Sequence, residues 1–118
     1  MSKQIYIAQA VAWARSRGFV DIKANIEGYP KPGGFGRQQD GQTFIPDVTA
    51  QQFEQKSYFT VVLKTDPVDG LVSKLKLLNQ LALRGGGQLY LLTPKGHMPF
   101  AKSVAANSAI TAELINLG

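Results

Sequence analysis

The run Ser57 to Thr65 (SYFTVVLKT) is aromatic and β-branched throughout and apolar on both of its faces. A strand alternates its side chains between two faces, so one that is apolar on both must be covered on both. This chain is therefore expected to build a sheet flanked by helices, with Ser57 to Thr65 as a central strand. The residues that follow fit this demand. Asp66-Pro67 opens a helix: Asp66 suits the N-cap, Pro67 the first turn, and Asp69 the positive end of the helix dipole. Val68, Leu71, Val72, Leu75, Leu78 and Ala82 recur at helical spacing up to Arg84, and Gly85-Gly86-Gly87 ends the helix. Gln88 to Leu92 (QLYLL) then reads as a short buried strand, which a helical crossover makes parallel to Ser57 to Thr65.

Before the central strand, Ser2 to Arg17 reads as a helix with Ile7, Val11 and Ala14 on one stripe and Ile5, Ala8 and Ala12 beside it. Its polar residues are few, so most of its circumference is expected to be covered. Trp13 belongs to its core side rather than to a ligand platform. Gly18 stops it. Asp21 to Glu27 (DIKANIE) alternates as a half-buried strand, with Ile22, Ala24 and Ile26 on the inner face. Residues Gly28 to Gln42 are rich in glycine and proline and read as one long loop, of a length that compact domains reserve for lids or mobile segments. Thr43 to Ala50 returns as a strand, with Pro46 marking an edge or a beginning. The tail from about Pro99 reads as one or two short helices, broken near Asn107-Ser108.

The order is α-β-β-β-α-β-α: a single α/β domain over residues 1–118 with one mixed sheet, its first three strands a meander. Its 118 residues suit one core. Zero Cys excludes disulfides, cysteine-ligated zinc, iron–sulfur clusters and a thiol nucleophile, and the single His97 excludes a multi-histidine metal site within one chain. His97 has no Ser or Cys partner by spacing, which argues against a catalytic triad. Thirteen Lys and Arg against eight Asp and Glu give a formal charge of +5, which favours an anionic partner. No apolar stretch approaches a membrane span and MSKQ lacks a secretory layout, so a soluble cytoplasmic domain without membrane contact is expected.

This layout resembles the PD-(D/E)xK nuclease-like (restriction-endonuclease-like) superfamily, which includes restriction endonucleases and Holliday-junction resolvases. Three local signals carry the resemblance: Pro46-Asp47 at the second strand, Lys64 on the next one, and the helix, Gly-rich turn and QLYLLTPKG that follow. The resemblance implies that two carboxylates on adjacent strands hold Mg²⁺, which polarises the phosphate and activates a water. It implies further that a lysine two residues beyond the second carboxylate neutralises the charge developing on the phosphate. Asp47 and Lys64 occupy the first and last of these positions. The second carboxylate is replaced by Val62, and the acid that resolvases carry on the first helix is missing, because residues 1–20 contain no Asp or Glu. Glu27 ends the first strand and returns near Asp47 if that strand pairs antiparallel with the second. A Glu27–Asp47–Lys64 site, with Glu27 and Asp47 as metal ligands, is thus one reading. A solvated Glu27 and a structural Asp47–Lys64 ion pair is the other.

The loop places Tyr29 and Phe35 among Lys31 and Arg37. Aromatic rings stack on bases and cations meet phosphates, so this loop is a candidate nucleic-acid contact, as is Lys74 on the long helix. The plainer alternatives are a lid whose rings pack back on the sheet and a solvated lysine. The expectation is a catalytically impaired nuclease-like domain that binds DNA or RNA or serves as an assembly module. An active Mg²⁺-dependent endonuclease using Glu27, and a structural partner without nucleic-acid contact, are the alternatives. A homodimer or larger assembly follows from the resemblance alone.

Overall fold

Three helices and one five-stranded mixed sheet make up the core of the chain, in a computed structural model that describes residues 3–33, 35–36 and 43–117. The elements are α1 (Gln4–Ser16), β1 (Val20–Ala24), β2 (Phe35–Gly36), β3 (Thr43–Phe44), β4 (Val48–Gln52), β5 (Gln55–Val61), α2 (Val68–Arg84), β6 (Leu89–Thr93), α3 (Met98–Ser108) and β7 (Ala112–Asn116). The sheet order is β1-β4-β5-β6-β7. β1, β4 and β5 form the antiparallel meander, and β6 and β7 join parallel, each after a helical crossover. β2, inside the segment read as loop, and β3 pair as a separate two-stranded ribbon, so the stretch read as one strand over Thr43 to Ala50 is divided between β3 and β4.

The central-strand expectation holds. Phe59 and Val61 are fully buried in the core under α1, whereas Tyr58 and Val62 are buried in the core under α2 and α3. α1 lies over β1, β4 and β5, while α2 and α3 lie over β5, β6 and β7, so the middle of the sheet is buried on both faces. Leu71, Leu75, Leu78 and Ala82 form the buried stripe of α2. Fully burying a Leu or Phe contributes roughly 1.5 to 3 kcal/mol, so these rows anchor the two layers. Gly87 passes so close to the Lys56 carbonyl that a Cβ there would collide with it, which explains why the turn into β6 needs glycine at that position.

Several boundaries move. β5 ends at Val61, so Lys64 is not on a strand; it is exposed in the turn between β5 and α2. β4 begins at Val48, with Asp47 just before it. Asp66 is not the N-cap of α2. Pro67 is itself still extended, at ψ 123°, and its carbonyl accepts the Leu71 N–H at 3.0 Å, so it takes the cap position. The Asp66 carboxylate turns back instead and accepts the Leu63 N–H at 2.9 Å. α1 buries one stripe (Ile7, Ala10, Val11, Ala14), while Ile5, Ala8 and Ala12 remain exposed, so its circumference is less covered than its composition implied. The tail is one helix followed by a strand: Ala109, left-handed at φ 54°, ends α3, and Ala112–Asn116 becomes the sheet edge. No helix among the described residues is long and apolar enough to cross a membrane.

Candidate nucleic-acid interface

Asp47 sits where the loop enters β4, 5% exposed. Its Oδ2 accepts the backbone N–H of Val61 at 2.8 Å, and its own carbonyl accepts the N–H of Asn25 at 2.8 Å. Asp47 thereby ties the end of β1 to the end of β5. The same carboxylate meets Lys3 Nζ at 3.2 Å and Lys74 Nζ at 4.0 Å. Among the described residues these two lysines are its cationic partners, and the expected pairing with Lys64 is not formed. The Lys64 backbone N–H instead donates to Nδ1 of His97 at 3.0 Å, which clips the β5–α2 turn to the start of α3.

Lys74 projects from the second turn of α2, with 17% of its side chain exposed. Burial pushes its ammonium pKa below the ordinary lysine value; the Asp47 carboxylate opposes that, Lys3 adds to it, and Asp66 opposes it more weakly. Desolvation thus outweighs the ion pair. Lys3 was missed in the sequence, although one signal was available: a cation at a helix N-terminus opposes the dipole, and α1 has neither a side-chain cap nor an acidic first turn. Lys3, Lys74, Asp66, Pro67, Gly70 and Leu71 line an open cavity of about 180 Å³ between the starts of α1 and α2.

Glu27 lies exposed in the turn after β1. Among the described residues no three His, Asp or Glu side chains gather as a metal site would require. Val62, where the resemblance would require the second carboxylate, is fully buried in the α2-side core. Tyr29 is half-buried against the α1-side core, and the Lys31 ammonium donates to the Ile26 carbonyl, so both fold back on their own segment. The side chain of Phe35 and the whole of Arg37 lie outside the described residues.

The topology gathers charge at one end of the sheet. The C-terminal ends of β5 and β6, the entry to β4 and the segment after β1 lie together, which brings Lys3, Lys31, Lys64, Lys74 and Lys95 to this end along with Glu27, Asp47, Asp66 and Asp69. In open sheets of this kind ligands bind outside the carboxyl ends of the parallel strands. Comparison with protein-family models, curated proteins and solved structures returned no match.

Proposed function

We propose that this chain is a restriction-endonuclease-like domain that binds nucleic acid through the phosphate backbone and does not cut it. The observation that carries this reading is the state of Asp47, whose carboxylate is taken up by the Val61 N–H and by Lys3 and Lys74. A nuclease site of this type needs that carboxylate free to hold Mg²⁺ beside a second one. Here lysines stand on it, and Val62 closes the neighbouring position with a methyl-bearing side chain.

The fold order supports the family reading: a helix, an antiparallel meander, a crossover helix and a parallel strand, with Pro46-Asp47 at the second long strand. Phosphate binding is the chemistry that the remaining groups support. Lys3 and Lys74 border the cavity at the start of α2, and Lys64 and Lys95 are exposed on the adjoining turns. Each ammonium that meets a phosphate releases a condensed counterion, which gives affinity without sequence reading.

The test is incubation with single-stranded and duplex DNA in Mg²⁺ or Mn²⁺, scored for both retention and cleavage. Retention without cleavage is expected. Metal-dependent cutting abolished by Asp47→Ala would overturn the reading and favour a site completed by Glu27.

A further inference from the structure

The far end of the sheet, remote from Asp47, carries a second recess. On the α1 face Leu92 of β6 is fully buried, whereas Tyr90 of β6 and Ile115 of β7 are only partly covered, with Trp13 of α1 beside Tyr90. The recess measures about 350 Å³ and is walled by Trp13, Arg17, Phe19, Gln52, Tyr90 and Glu113. Small-ligand pockets run from ~300 to 1,000 Å³, so this one suits a single ring system with its sugar and not a folded partner.

Its walls are of two kinds. The rings adjoin without being coplanar: Trp13 and Tyr90 lie 5.3 Å apart with planes inclined at 56°, and one face of Tyr90 stacks on Phe59 at 4.9 Å and 12°. The Arg17 guanidinium sits over the Trp13 ring at 5.1 Å. Unstacked bases are received by such aromatic and guanidinium planes. The polar groups are weighted towards acceptors. The Gln52 amide nitrogen donates to the Arg17 carbonyl at 2.7 Å, which fixes the amide and leaves its oxygen as acceptor. The Glu113 carboxylate adds two more acceptor oxygens beside Tyr90. The Tyr90 hydroxyl, a donor at neutral pH like any phenol, completes the polar rim.

The geometry points to a nucleobase site in this recess: an unpaired base stacks on the Arg17 guanidinium above Trp13, with Tyr90 inclined beside it, and presents its exocyclic amine to Glu113 and Gln52. Adenine and cytosine carry that amine and uracil does not, so the site discriminates between them. The inference is independent of the lysine end, because an uncharged nucleoside suffices to occupy the recess.

Trp13 is the sole tryptophan of the chain and reports from inside the recess. The experiment is titration of the full chain with adenosine, cytidine and uridine, read by Trp13 fluorescence excited beyond nucleoside absorption. Adenosine and cytidine are expected to quench saturably, with uridine weaker by about tenfold, the size of one lost hydrogen bond to a charged acceptor. Glu113→Gln, at an exposed position that leaves the fold intact, is expected to narrow that difference. Tyr90→Leu should weaken all three by about tenfold, in keeping with one lost stacking partner. Lys64→Ala with Lys95→Ala, at exposed positions of the opposite sheet end, should leave nucleoside quenching unchanged while lowering DNA affinity, which separates failure of this site from failure of the phosphate-binding end. Quenching that does not saturate, or that is equal for the three nucleosides and indifferent to Glu113→Gln, overturns the assignment.

Discussion

The Asp47 carboxylate accepts the Val61 N–H at 2.8 Å, across the point where β4 begins and β5 ends. Two ammonium groups, of Lys3 at the cap of α1 and Lys74 in α2, close on the same carboxylate. One side chain therefore holds the sheet end and both helix layers together. Removing a buried partner leaves the others unpaired, which costs more than the intact pair contributes. Asp47→Ala is expected to lower unfolding stability by about 2 to 4 kcal/mol in urea titration. Asp47→Asn keeps an acceptor for Val61 and should lose distinctly less. Equal losses would show that the hydrogen bond contributes nothing.

Lys74 gives a prediction in pH. Its ammonium pKa is lowered in the folded protein, chiefly by burial. Between that lowered value and the ordinary lysine value the unfolded chain binds the extra proton, so stability rises with pH across this alkaline window. Below the window the folded protein bears the full cost of the buried charge. Tyr58 and Tyr90 act in the opposite direction, since burial raises both phenol pKa values. The informative quantity is therefore the difference between the wild type and Lys74→Met. Wild-type stability should gain on that of the variant as pH climbs through the window; a constant difference would contradict the buried ammonium.

The β4–β5 turn stores strain. Phe53 and Glu54 lie at φ 55° and 65°, the left-handed geometry that two-residue hairpins of type I′ demand at both central positions. Asn-Gly is the favoured pair there, and neither residue present is glycine. Phe53 is 87% exposed and so gains little burial in exchange. Replacing Phe53-Glu54 by Asn-Gly should raise stability by about 1 kcal/mol, measured by chemical denaturation. An unchanged or lowered midpoint would mean that the phenyl ring packs in solution.

Much of the fold was legible because its signals are local. The two-faced apolar run at β5, the heptad-like row from Leu71 to Ala82 and the glycines after Arg84 each state their element without reference to the rest of the chain. Ala112–Asn116 (AELIN) was not legible, because an edge strand tolerates Glu113 and Asn116 and the break before it uses Ala109 rather than glycine in the left-handed region. Asp47 stood out through Pro46, but its partners did not. Lys3 and Lys74 reach it from the cap of α1 and from α2, and no spacing along the chain encodes that meeting. Lys64, by contrast, was placed by analogy with a strand that stops at Val61. The aromatic recess escaped notice for a similar reason: Trp13, Tyr90 and Glu113 come from three elements and each reads alone as ordinary core or surface.

The central claim is that the lysine-bearing end of the sheet grips phosphates. It is tested most directly by the affinity for a short single-stranded DNA across a range of salt concentrations, for the wild type and for Lys3→Ala with Lys74→Ala. For the wild type, log affinity should fall linearly with log salt. Each lost phosphate contact flattens that slope by about 0.7 for a single strand, so the double variant should be shallower by roughly 1.4. A wild-type affinity indifferent to salt, or a slope that the double variant leaves unchanged, would contradict the account.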